Sequence, residues 1–250
     1  MPETATPPAL LAISHGTASA IGAMAVTALV DAVAARRPDV AVHAGFVDVQ
    51  QPDVPTCLAE LRADASTAST VVVPLLLSAG YHVHVDLRED VDAAVAAGDD
   101  VCLGGALGPD DRLVDVLERR LGEVGLRDDD TVVIAAAGSS DARAVTDCET
   151  TAGRLGDRLG RPVTVGYIAN AVPRVAEAVA AARATAGPGG RVVVATYLLA
   201  PGFFADLAAR AGGDVATAPL LVAGAEPPEE LVDVVVDRYL TAAGAPRPSV

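Results

Sequence analysis

The 250-residue chain sets 33 acidic side chains against 18 basic ones, a net charge of −15, which excludes the basic footprint that nucleic-acid binding needs. Hydrophobic residues make up 51% of it, yet aromatics are 3% and Trp is absent, so the core must be Ala, Val and Leu on sheets covered on both faces. The three cysteines (Cys57, Cys102, Cys148) form no C-x-x-C pair, so no disulfide framework or iron–sulfur motif is legible. They read as small apolar residues in a reduced, cytoplasmic protein. The first eight residues carry an acid and no base, unlike a secretory signal, and no apolar run approaches the roughly 18 residues of a membrane span. A soluble protein with no membrane partner is expected.

Ala9–Ser14 (A-L-L-A-I-S) reads as a short buried strand, followed at once by His15-Gly16-Thr17. A helix is predicted next, with Ile21, Ala25, Leu29 and Val33 on its apolar face, Arg36 and Arg37 in its last turn and Pro38 ending it. Residues 40–49 are predicted as a strand running to Asp48, and a helix carrying Val54, Leu58 and Leu61 follows. The stretch V-V-V-P-L-L-L-S-A-G-Y-H-V-H-V-D begins at Val71 as a continuous apolar strand, breaks at Ser78, Ala79 and Gly80, and delivers His82, His84 and Asp86 just past the turn. A helix through Val91 and Val95, a strand at 101–103 and a helix over 110–121 complete the first half. Strand and helix alternate without hairpin signals, which predicts α/β architecture with parallel sheets and helices on both faces.

The pattern then recurs at an offset of about 120 residues. T-V-V-I-A-A-A and Gly138 echo the first strand and its turn; Gly166 to Pro173 echoes Gly45 to Pro52; Val192 to Gly202 echoes Val71 to Gly80. The chain is therefore read as two flavodoxin-like halves facing each other across a cleft, residues 1–124 and 125–250, joined by the Gly- and Asp-rich patch at 122–130. All four histidines lie in the first half. Ala137 stands where the first half has His15, Ala169 where it has Asp48, and Phe203-Phe204 where it has Tyr81-His82. Ligands of open α/β sheets bind outside the carboxyl ends of the strands, where His15 and His82 are placed.

His15-Gly16-Thr17, Phe46-Val47-Asp48 with Pro52, and the spacing P-x-x-L-x-x-G-x-H-x-x-x-D filled by Pro74, Leu77, Gly80, His82 and Asp86 together resemble the sirohydrochlorin chelatase family, class II tetrapyrrole chelatases of the CbiX/SirB type. The resemblance implies a bilobal α/β fold. It also implies a lyase that inserts Fe²⁺ or Co²⁺, in some members Ni²⁺, into sirohydrochlorin without ATP, with no cofactor beyond that substrate metal, in sirohaem or cobalamin synthesis. The family's two motif histidines map onto His15 and His82. Many members follow the H-G turn with Arg, whereas Thr17-Ala18-Ser19 stands here.

Metal insertion removes two pyrrole N–H protons and strips water from the ion, and neutral imidazole serves as ligand or base for either task. His15 and His82 are the expected catalytic residues, with His84 and Asp48 beside them as metal ligands. Gly16, Thr17, Gly80, Tyr81 and Arg88 are expected to bind substrate, Arg88 by meeting a carboxylate. The macrocycle face would lie on Leu, Val and Phe side chains, Phe203 and Phe204 among them. Asp86 reads equally as the cap of the next helix, and His43 as a half-buried structural residue. A monomer acting on a tetrapyrrole and a divalent metal is expected. A non-catalytic carrier on the same scaffold is the alternative, whereas a nucleotide enzyme is disfavoured because no G-x-G-x-x-G or P-loop follows any strand.

Overall fold

The computed structural model describes residues 6–78 and 81–245, with residues 81–85 by backbone alone. The apolar runs form short strands that all pair in parallel. In β1 (Ala9–Ser14), paired in parallel with β2 (Val42–Phe46) and β3 (Thr70–Pro74), every side chain is buried. Leu11 and Ile13 face one layer of helices while Leu10 and Ala12 face another, as a period of two requires. With β4 (Val101–Leu103) the first sheet has the order β2-β1-β3-β4. The second sheet repeats it as β6-β5-β7-β8, from β5 (Thr131–Ala136), β6 (Val163–Tyr167), β7 (Val192–Tyr197) and β8 (Val215–Ala216).

On the outer face of the first sheet lie α2 (Val54–Ala63) and α3 (Tyr81–Ala96), burying Leu58, Leu61, Leu87 and Val91. On that of the second lie α6 (Val175–Thr185) and α7 (Phe203–Ala209). Between the sheets one continuous core joins α1 (Ala20–Arg36), α4 (Asp111–Glu123), α5 (Ala142–Leu159) and α8 (Glu229–Gly244). Among the described residues no helix is long and apolar enough to cross a membrane.

The two halves exchange their last helices. α4 ends the first half in sequence but packs on β7 and α5 of the second; α8 ends the second but packs on α1, β3 and β4 of the first. Ion pairs follow the exchange: Arg154 and Arg158 of α5 reach Asp111 and Asp115 of α4, and Arg119 of α4 reaches Glu230 of α8. The exchange is fixed most firmly at Asp110, the cap of α4. It accepts from Arg112 at 2.8 Å and from Arg238 of α8 at 3.0 Å, and Arg238 also donates to the Ala106 and Leu107 carbonyls.

Burial alone would raise the Asp110 pKa, but the hydrogen bonds from Arg112 and Arg238 outweigh it and hold the group at about 2, below its ordinary 3.8. A depressed carboxylate contributes stability above its unfolded pKa and loses it as pH falls through the folded one. Stability is therefore expected to drop between about pH 4 and pH 2, and Asp110→Asn should flatten that drop while lowering the urea midpoint at pH 7. Equal acid slopes in the variant and the parent would contradict this role.

Several boundaries differ from the sequence reading. Ile21 is 54% exposed, because Gly22, Ala25, Leu29, Val30 and Val33 form the buried stripe of α1. α3 starts at Tyr81, so Asp86 lies inside it, exposed, and does not cap it. β2 is shorter than predicted, and it is an edge strand that leaves His43 exposed, not half-buried. The 122–130 patch is more than a linker: Asp130 is buried and takes Arg191 at 2.6 Å.

Candidate active site

In a sheet of order β2-β1-β3-β4 the connections leave in opposite directions from β1 and β3, and the crevice at their carboxyl ends is the ligand position of this topology. His15 follows β1 there. The turn that carries it is set by backbone: Gly16 has φ +91°, and a Cβ on it would meet the Asp48 carbonyl at 2.0 Å. Asp48 N–H donates to the His15 carbonyl at 3.1 Å, locking the two loops together. Thr17 Oγ1 accepts from Ser19 N–H, and Ser19 caps α1 through Gly22 N–H at 3.2 Å.

These loops open onto a cleft of about 430 Å³ between the halves, within the usual range for a small-molecule site. The first half contributes His15, Gly16, Thr17, Gln50 and Leu75–Leu77; the second contributes Tyr197 and the segment from Leu198 to Ala205. The halves approach closely here: the Pro201 carbonyl lies over α1 so tightly that a Cβ on Gly22 would meet it at 2.2 Å. At the floor, the buried Tyr197 hydroxyl donates to the Leu77 carbonyl at 3.1 Å; burial pushes its pKa up, which keeps it a donor. Phe203 and Phe204 stand at the mouth, 70% and 39% exposed, with ring centroids 6.2 Å apart.

Of the residues expected from the sequence, His15, Gly16 and Thr17 line the cleft. Asp48 is beside it but exposed, its Oδ1 accepting from Val49 N–H at 2.7 Å, and Arg88 is exposed on α3 away from the described lining. Gly80 and the side chains of Tyr81, His82 and His84 lie outside the described residues. Among the described residues no group of three or more His, Cys, Asp or Glu converges to hold a metal. Cys57 and Cys148 are buried away from the cleft lining, and burial pushes their thiols up to about 11 and about 12. Sequence reasoning missed Gln50, Tyr197 and Pro201. The repeat held a signal for Gln50: Ala171 makes the matching turn, each residue's N–H donating to the carbonyl two residues back at 2.7 Å.

The second half keeps the scaffold without the polar groups. Gly138 has φ +87°, and a Cβ on it would meet the Ala169 carbonyl at 2.0 Å, matching Gly16 and Asp48; Asn170 and Val49 share a positive φ. Yet His15, Asp48 and Gln50 are replaced there by Ala137, Ala169 and Ala171.

A doubled flavodoxin-like fold, with a cleft between its halves and an imidazole at the switch point of one sheet, defines a two-lobed α/β protein of the chelatase type. The CbiX family model matches residues 9–124 and 131–225, and the chain belongs to that family. It is 27% identical over 200 residues to a sirohydrochlorin ferrochelatase of Priestia megaterium, covering 78% of this chain and 74% of that one. A sirohydrochlorin cobaltochelatase of Methanosarcina acetivorans is 27% identical over 123 residues, 94% of its length but 46% of this chain, the size of a single half. SirB from Bacillus subtilis, solved with Fe³⁺, superposes with a TM-score of 0.80 at 18% identity over 95% of this chain and 96% of that one. The CbiX that is the terminal enzyme of siroheme biosynthesis in denitrifying bacteria superposes with a TM-score of 0.60 at 19% identity, over 92% and 98%. Both likenesses establish the doubled fold.

Proposed function

We propose that this protein is a sirohydrochlorin chelatase, a lyase that exchanges the two pyrrole N–H protons of sirohydrochlorin for Fe²⁺ or Co²⁺ without ATP, in sirohaem or cobalamin synthesis. The observation that carries the reading is His15 at the switch point of the first sheet, opening onto an apolar cleft in a chain matched by the CbiX model through both halves. Relatives named ferrochelatase and cobaltochelatase support both the macrocycle and the metals.

In this reading His15 and His82 hold the ion or accept the pyrrole protons, with His84 and Asp48 as further ligands. Apolar side chains of the cleft, Leu75 to Leu77 and Phe203 with Phe204, carry the macrocycle face, whose burial contributes roughly 25 cal/mol per Å². Gly16 and Thr17, which line the cleft, are assigned to the substrate together with Gly80 and Tyr81. Residues 1–124 and 125–250 form the two halves, and the exchanged helices hold the two walls of the cleft in register. The protein acts as a monomer in the cytoplasm and requires no further cofactor, nucleic acid or membrane.

An anaerobic absorbance time course of sirohydrochlorin with Co²⁺ tests the proposal. Metallation faster with the protein than without it is the expected result; equal rates at every metal tried would overturn it. The acidic chain and the absence of Arg after the H-G-T turn favour, as the second reading, a carrier that binds macrocycle or metal without accelerating insertion.

A further inference from the structure

We propose that Gln50 is a substrate-binding residue whose side-chain amide donates hydrogen bonds to a carboxylate on the rim of the tetrapyrrole; this rests on the chelatase reading above. Gln50 Oε1 accepts from the Thr17 N–H at 2.9 Å. A backbone N–H can only donate, so the atom facing it is the carbonyl oxygen and the amide's NH₂ is turned to the other side. Gln50 is half-buried and lines the cleft. No buried side-chain nitrogen or oxygen among the described residues lacks a partner, so the NH₂ group, with no partner among them, is accessible, on a residue that lines the cleft. The result is a pair of N–H donors, oriented by the bond to Thr17, in the same cleft as His15.

A structural role does not account for it. Ala171 makes the same turn in the second half with no side chain to donate or accept. The ligand chemistry does. Sirohydrochlorin carries its carboxylates at the rim of an apolar ring, and among the described residues lining the cleft there is no Arg or Lys. In a chain of net charge −15, neutral donors positioned by the fold supply what cations do not.

Gln50→Glu and Gln50→Ala separate the two roles. Glu keeps an acceptor for Thr17 N–H but replaces the donors with a negative oxygen, whereas Ala removes both. Sirohydrochlorin affinity is measured by absorbance titration without metal, then KM and kcat with Co²⁺. Gln50→Glu is expected to raise the Kd and KM for sirohydrochlorin about tenfold to a hundredfold, more than Gln50→Ala, with kcat at saturation held within about threefold. Gln50→Glu binding sirohydrochlorin as tightly as the parent, with Gln50→Ala the weaker variant, would overturn the assignment and leave a turn-holding residue. A parent protein that does not bind sirohydrochlorin would overturn the chelatase reading itself, and Gln50's role with it.

Discussion

Replacing His15 with Ala is expected to abolish metal insertion while leaving the fold unchanged. The side chain is exposed at the cleft wall, so truncating it removes no core packing, and the backbone bond that holds its turn, from Asp48 N–H to the His15 carbonyl, does not involve the imidazole. The change in chemistry is large, because a positioned ligand or base contributes typically about 10²–10⁴ in rate. Thermal unfolding within about 0.5 kcal/mol of the parent, with turnover down at least about a hundredfold, is the predicted pair of results. His15→Ala with near-parental kcat would remove His15 from the reaction. The second half offers an internal control, since it already carries Ala137 at this position on the same backbone.

The second large effect belongs to Gly16. An Ala there would sit at φ +91° with its Cβ 2.0 Å from the Asp48 carbonyl, a contact with backbone that no side-chain rotation relieves. Strain at positive φ and forced displacement of the 48–50 loop together cost about 2–5 kcal/mol. Gly138→Ala meets the same geometry against Ala169 and should cost a similar amount. The two variants should part in activity. Below its unfolding temperature Gly16→Ala should lose turnover, because the displaced loop carries Gln50 and the turn carries His15, whereas Gly138→Ala should keep turnover per folded molecule. Chemical denaturation and initial rates on both variants check this. A Gly16→Ala protein as stable and active as the parent would show that the turn tolerates a side chain and is not a rigid mount for His15.

The fold was largely legible because its signals are local. Six buried residues in β1, the break at Ser78 and the recurrence of Gly and Pro at matching places are properties of short windows, and they suffice for parallel sheets, duplication and the position of His15. The exchange of α4 and α8 was not legible. An amphipathic helix carries one apolar stripe whichever sheet it covers, and Leu113, Leu117 and Leu121 would fit either. Cleft membership was also hidden for polar loop residues. Asp48 and Gln50 stand two apart in one loop, yet the Asp48 carboxylate turns to the neighbouring Val49 N–H while Gln50 accepts from Thr17 N–H and lines the cleft, a difference made by the tertiary hydrogen bond to Thr17. Arg88 sits on α3, where Leu87 and Val91 point into the core and leave it outside the described lining. Replacement of His15, Asp48 and Gln50 by alanine on an otherwise preserved second scaffold was the most informative signal the sequence held.

A chelatase turns over sirohydrochlorin in this cleft many times per protein molecule. The most direct measurement is anaerobic metallation with Co²⁺ at protein concentrations far below the macrocycle, counting metallated product per protein molecule after subtracting the spontaneous rate. Many products per protein, with the count lost in His15→Ala, is the result expected of a chelatase. Product that stops at one per protein, or never exceeds the spontaneous background, would contradict it.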